Sequence, residues 1–184
     1  MELTVPTFPV VALREGVVFP NTDASLAFGR PRSNAGIQAA FKSSNKQVVL
    51  VAQKQPINNP SWDDLYRIGT LCQIENVVAS GNELWAHVKG VSRVTVETAV
   101  SSDPYFVATV RQLSEEVEQT DKLVVLAKQV LTEFKKAFDM GKAVEFAVFM
   151  RLMAGVGAAE LADQVSNALD LNTPSKQELL EILS

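Results

Sequence analysis

His87 is the one histidine in the chain, and both metal binding and acid–base chemistry near neutral pH lean on that side chain. It falls mid-strand between Ala86 and Val88, with no serine, cysteine or acid in a recognisable catalytic arrangement around it, which predicts a surface or hydrogen-bonded histidine. Gly155-Val156-Gly157-Ala158-Ala159-Glu160 imitates a dinucleotide fingerprint. Glutamate stands where the last glycine belongs, however, and the segment follows a predicted helix where the fingerprint needs a strand, so it reads as a connector. Gly141-Lys142-Ala143 lacks the upstream glycine and the hydroxyl residue that grip phosphate and magnesium. Ser43-Ser44-Asn45-Lys46 fits the bare S-x-x-K pattern without its companion motifs and reads as a polar helix end. Asp63-Asp64 and Glu115-Glu116 are adjacent acids whose side chains diverge, which suits solvated positions better than an acid/base couple. Cys72, the single cysteine, is placed in the core beside Ile74, and being alone it excludes an internal disulfide and a cysteine-based zinc site. The expectation is a chain with no catalytic residues, no metal and no cofactor, and without peptidase or ATPase activity.

Composition narrows the classes further. Of 184 residues 47% are hydrophobic and 21% charged, too apolar for a disordered chain and ordinary for one compact domain or two small ones. Apolar runs such as 48–52 and 146–150 are five residues long, far short of the ~20 residues that cross a bilayer. No basic region precedes the first apolar run, which argues against a secretion signal, and a cytoplasmic protein without membrane partners is expected. The net charge is −4, and the 17 basic residues are interleaved with acids. That balance makes nucleic acid an unfavourable partner.

The elements that must position these residues change character along the chain. Short runs rich in valine and aromatics, separated by turn residues, predict strands at 8–13, 25–29, 47–53, 69–79, 84–90, 91–98 and 106–113. Ser80-Gly81-Asn82-Glu83 reads as a hairpin turn. Beyond it Leu84, Ala86 and Val88 alternate with Trp85, His87 and Lys89, predicting one dry and one wetter face. One helix interrupts the strands at 32–43, with Pro31 in its first turn, and proline and asparagine mark residues 55–66 as a surface loop. After Ser114-Glu115-Glu116 the period changes from two to 3.6. Leu123, Ala127, Val130, Phe134 and Phe138 form a stripe on a helix at 118–139, ended by Met140-Gly141, and its expected packing partners are the helices carrying Phe146, Leu161 and Leu179. Those further helices are predicted at 144–154, 158–168 and 174–183, the last with Thr173 as N-cap.

A family resemblance runs the length of the chain. Residues Pro9 to Pro20 (PVVALREGVVFP) resemble the P-x-x-P-L-R-x-x-V-x-F-P opening of the Lon protease N-terminal domain. Phe28-Gly29-Arg30-Pro31-Arg32-Ser33 resembles its F-V-G-R-x-x-S, Val51-Ala52-Gln53-Lys54 its V-A-Q-K, and Asp64 to Thr70 (DLYRIGT) its D-L-Y-x-V-G-T. Val88 to Arg93 (VKGVSR) resembles V-x-G-x-x-R, and Lys176 to Glu181 (KQELLE) matches the K-Q-E-L-L-E of the family's helical part. The resemblance implies an α+β fold: a PUA-like β-barrel lobe (1–116), an open end of which the inserted helix would cap, followed by an α-helical bundle lobe (117–184). It also implies a non-catalytic domain that recognises unfolded, damaged or degron-bearing proteins for an ATP-dependent protease and helps its subunits, a hexamer in the full-length protein, to assemble. Recognising heterogeneous chains calls for apolar surface rather than one shaped pocket, and Trp62, Leu65, Tyr66 and Trp85 are the candidates. The alternative is a stand-alone PUA-like module that binds RNA or another protein.

Overall fold

The computed structural model describes residues 6–114, 117–118 and 120–183. Its strands are β1 (Thr7–Leu13), β2 (Asp23–Phe28), β3 (Gln47–Ala52), β4 (Ile68–Ser80), β5 (Glu83–Ser101) and β6 (Phe106–Gln112). Helix α1 (Pro31–Lys42) lies between β2 and β3, and α2 (Asp121–Asp139), α3 (Phe146–Ala154), α4 (Ala158–Ala168) and α5 (Thr173–Glu181) follow the strands. The fold is thus mixed α+β. The expected change of pattern at 114–116 falls partly on Glu115 and Glu116, which lie outside the described residues, as does that acid pair.

Hydrogen bonding runs β2-β5-β4-β3-β1-β6, and β6 pairs again with β5. Strand β5 makes this possible because its first half pairs with β2, from Leu84 to Lys89, and its second half with β6, from Val94 to Ser101. Two separate strands were expected here, at 84–90 and 91–98; the structure has one strand of 19 residues. Gly90 is the reason for the difference. It is no turn residue: a Cβ at this position would lie 2.1 Å from the carbonyl oxygen of Phe19, so glycine is needed for the close passage of residues 19–20 across the strand. The chain is held there by Asn21 N–H to Gly90 O (3.0 Å) and Gly90 N–H to Thr22 O (2.9 Å).

Both faces of β1 and β3 are covered, which is why their sequences are apolar without alternation. Val11, Leu13, Val48 and Leu50 join Ile74, Ala86 and Val88 in one core cluster, onto which α1 lays Ile37 and Ala40. Val10, Ala12, Val49 and Val51 point the other way and join Val94, Val96 and Phe106.

The helices pack less as expected. On α2 the inward stripe is Leu123, Ala127, Leu131, Phe134 and Phe138, with Leu131 where Val130 was expected; Val130 is exposed. Phe134 is 8% exposed and packs with Leu152 and Leu161, and Phe138 stacks on Phe149 with ring centroids 3.9 Å apart. Phe146 is 67% exposed and so is not the partner the sequence suggested. Nor does α5 lie on α2: it packs against α4 and β4 and buries Leu180, while Leu179 is half-buried. Asn172, not Thr173, caps α5, its Oδ1 accepting from Ser175 N–H at 2.9 Å. Thr173 Oγ1 is engaged elsewhere, accepting from Gly16 N–H at 2.8 Å.

One buried ion pair ties the helices to the sheet. Arg93 of β5 and Asp163 of α4 are both buried, and Arg93 Nη2 lies 2.6 Å from Asp163 Oδ1 and Nη1 3.3 Å from Oδ2. Arg93 Nε donates to Leu180 O at 2.8 Å, so one side chain binds both α4 and the end of α5. Around it Gln164 Nε2 donates to Asn21 O, and Gln177 Nε2 to Ile68 O at 2.9 Å.

Two stability outcomes follow. Arg93→Ala removes the guanidinium that meets both oxygens of the buried Asp163 and costs about 3–5 kcal/mol in denaturant unfolding; a loss below about 1 kcal/mol would show that the pair does not hold the helices. Phe134→Ala costs about 3–5 kcal/mol, whereas Val130→Ala stays within about 0.5 kcal/mol. Equal melting curves for these two variants would contradict the observed orientation of α2.

Candidate functional site

Along β5 the alternation holds: Leu84, Ala86 and Val88 are buried, and Trp85 is 45% exposed. Trp85 lies opposite Ala27 of β2 and Val78 of β4, and both of these are also exposed. Three adjacent strands therefore present an apolar row with an indole at its centre. Cross-strand neighbours at this spacing hold one another's side chains in place, so the row is a rigid platform.

His87 stands two residues along the same face. Its Nδ1 is 3.1 Å from Ser25 Oγ and its Nε2 3.3 Å from Glu75 Oε2. Glu75 sits where the β4–β5 register shifts between Ile74 and Asn76, the kind of irregularity that re-aims a side chain. Asp23, Glu75 and His87 bring ligand-type atoms within 4.8 Å of one another and are the residues that could hold a divalent cation. Both ring nitrogens of His87 already have partners, as expected of a hydrogen-bonded histidine.

The loop candidates lie elsewhere. Trp62 opens a single 3₁₀ turn, Trp62–Asp64, closed by Ser61, whose N–H and Oγ both donate to Asp64 Oδ2 at 2.7 Å. These bonds hold the Asp64 carboxyl below its ordinary pKa. The Trp62 ring is half-buried, 4.6 Å from the ring of Phe106, and Nε1 donates to Ser102 Oγ at 3.0 Å. Leu65 is only 3% exposed and belongs to the core beneath the loop. As a surface contact Leu65 is therefore corrected: its apolar side chain anchors the loop. Tyr66 is half-buried, with its N–H bonded to Ala52 O at 3.0 Å. Trp62 and Leu65 thus share the Phe106 side of the molecule, and Trp85 stands apart from them among Ala27 and Val78.

Sequence reasoning missed the exposed side of α2, where Val124, Val125, Leu126 and Val130 are open to solvent. The signal was available. Four consecutive apolar residues, Leu123 to Leu126, exceed what one helical face can bury.

Residues 7–184 match the model of the ATP-dependent protease La (LON) substrate-binding domain. The chain belongs to this family. It is 31% identical over 176 residues to the Lon protease of Dictyoglomus thermophilum, a match covering 95% of this chain and 22% of that protein. It is 28% identical over 176 residues to the Lon protease of Azospirillum brasilense, again across 95% of this chain and 22% of the relative. The chain thus spans about a fifth of the length of the relatives it matches. Among solved structures, it is similar to the N-terminal domain of the Mycobacterium avium complex Lon protease, with a TM-score of 0.79, 20% identity, and coverage of 97% of this chain and 91% of that one. A Lon N-terminal domain protein from Xanthomonas campestris matches with a TM-score of 0.66 and 15% identity, over 98% and 92% of the two chains.

In this Lon substrate-binding domain the segments that resemble the family's motifs have physical roles. Gln53 is buried, its Nε2 donating to Ile57 O at 2.9 Å while its Oε1 accepts from Arg30 Nη1 at 2.7 Å, so the V-A-Q-K and G-R segments meet. The buried Thr70 hydroxyl donates to Val18 O at 2.6 Å. Arg93 ends the V-x-G-x-x-R segment and holds the helices.

Cys72 is fully buried, and burial pushes its thiol pKa well up. The thiolate is the reactive form, so a thiol reagent at neutral pH should leave the folded domain unlabelled and modify Cys72 only after unfolding. Stoichiometric labelling of the native protein would place Cys72 at an accessible site.

Proposed function

We propose that this domain is a non-catalytic receptor that captures unfolded, damaged or degron-bearing polypeptides through exposed apolar surface, for a Lon-type ATP-dependent protease working in the cytoplasm. The observation that carries this reading is the Ala27–Trp85–Val78 row, where a tryptophan on a rigid sheet face stands 45% exposed. An aromatic there tolerates many partner sequences, because stacking and burial ask only for apolar contact. Val124, Val125 and Leu126 on α2 and Phe146 and Met150 on α3 add apolar surface, and Trp62 and Tyr66 offer half-buried aromatic surface separately, at the loop. No helix of the described residues is long and apolar enough to cross a membrane. In this reading residues 1–116 form a PUA-like barrel lobe, supported by the return of β6 to β5, and residues 117–184 a helical lobe that also serves assembly with other protease subunits.

A receptor that must pass its cargo onward holds it weakly, since ordering the captured chain offsets much of the gain from burial. Titration with a chemically denatured, reduced protein, followed by tryptophan fluorescence, is expected to give a dissociation constant that is micromolar or weaker, about −8 kcal/mol or less in magnitude. Trp85→Ala should weaken binding severalfold with the fold intact, and raising salt should leave affinity largely unchanged. Steep loss of affinity with salt would favour phosphate contacts and the RNA alternative, and unaltered affinity in Trp85→Ala would remove the sheet row from the surface.

A further inference from the structure

A cleft of about 660 Å³ opens where the first turn of α1 meets the 55–60 loop, with Arg30, Arg32, Ser33, Asn59, Pro60 and Phe106 among its walls. Its volume falls within the about 300–1,000 Å³ of pockets that take small organic ligands. Two arginines line it, and Arg14 stands close enough to depress the ionisation of Arg30 through its like charge. Burial is the larger cause of that depression, and Arg32 adds to it. Every bond these guanidinium groups make goes to a neutral oxygen. Arg30 donates to Gln53 Oε1 (2.7 Å), Ile57 O (3.4 Å) and Ala12 O; Arg32 donates to Pro60 O (3.0 Å); and Arg14 donates to Asn58 Oδ1 (3.1 Å). Among the described residues no carboxylate pairs with any of the three. Asp103 also lines the cleft, without reaching them.

The start of α1 points to the same chemistry. No side chain caps it and its first turn holds no acid, so the amides of Arg32 and Ser33 have no intrahelical acceptor. Ser33 is an independent sign. It is only 6% exposed and lines the cleft, and among the described residues its hydroxyl has no hydrogen-bond partner. A hydroxyl without a protein partner at the cleft is a donor that a bound acceptor can engage. Beside this cationic end Pro31 and Pro104 present apolar surface, over a floor in which Pro60 is buried and Phe106, 2% exposed, carries Arg32 at 4.8 Å from its ring centroid.

A cationic, donor-rich end joined to an apolar wall matches an oxyanion carried on an apolar body. We infer that the cleft binds the free C-terminal carboxylate of a polypeptide ending in apolar residues, the carboxylate meeting the Arg30–Arg32–Ser33 end and the last side chains lying against Pro31 and Pro104. This rests on the reading of the domain as a polypeptide receptor, and adds to it a preference for chain ends.

Calorimetric titration of the whole chain with acetyl-Leu-Val-Leu as free acid and as C-terminal amide tests it. The acid should bind roughly tenfold to hundredfold more tightly, the range of a charge-assisted hydrogen bond. Ser33→Ala and Arg32→Gln, checked by melting curves for an intact fold, should reduce that ratio towards one, and inorganic phosphate should compete with the acid. Equal affinity of acid and amide overturns the inference, as does binding of phosphate that the acid fails to displace, which would make the cleft a site for free phosphate. The two readings separate with a denatured protein amidated at its C-terminus. If it binds wild-type chain normally while acid and amide tripeptides are equal, the cleft assignment alone fails; if no polypeptide binds in either form, the receptor reading fails with it.

Discussion

The contact between Arg93 and Asp163 is the constraint on which the arrangement of sheet and helices depends. Taking two charges out of water costs several kcal/mol each, which their mutual attraction offsets only with good geometry and further hydrogen bonds. Here both conditions are met: the guanidinium reaches both carboxylate oxygens, and its Nε serves the carbonyl of Leu180. Five donors in a fixed fork suit arginine to this task, and lysine would offer no equivalent. Such a pair adds little net stability over an apolar equivalent, but it penalises any arrangement in which the helices are displaced, because two buried charges would then lose their mutual attraction.

Strand β5 supplies the other half of that arrangement. It carries Trp85 on its outer face in the half that pairs with β2 and β4, and Arg93 at the start of the half that pairs with β6. Gly90 lies between, where the chain at Phe19 crosses. The surface row and the buried tether are thereby parts of one rigid element. The helices are fixed relative to the sheet face by a side chain eight residues from the exposed indole.

Apolar side chains are distributed unevenly between core and surface. The sheet buries both faces of β1 and β3, while α2 and α3 leave Val124, Val125, Leu126, Phe146 and Met150 open. An exposed leucine or valine by itself is ordinary in a folded protein; a consecutive run on one helix is surface that the proposed receptor role would use. The cleft beside α1 differs in character, being lined by Arg30 and Arg32 as well as by prolines.

Local patterns in the sequence determined the order and type of the elements, the dry and wet faces of β5, the burial of Cys72 and the family. Those properties depend on periodicity, turn chemistry and short segments, which are written within a few residues of one another. Only the tertiary structure decided which of 130 and 131 faces inward on α2, because adjacent helical residues differ by about 100° and both fit a 3.6-residue period. It also decided that Leu65 is core while Trp85 is surface, that Gly90 marks a crossing within one strand, and that Thr173 serves Gly16 while Asn172 caps α5. Arg93, Arg30 and Ser33 were visible as residues of segments that resemble the family's, but the partners of Arg93 and Arg30 stand 70 and 23 positions away, and Ser33 has none among the described residues. Charge compensation and hydrogen-bond satisfaction act across space, so no pattern along the chain could have shown which cation was already paired and which was not.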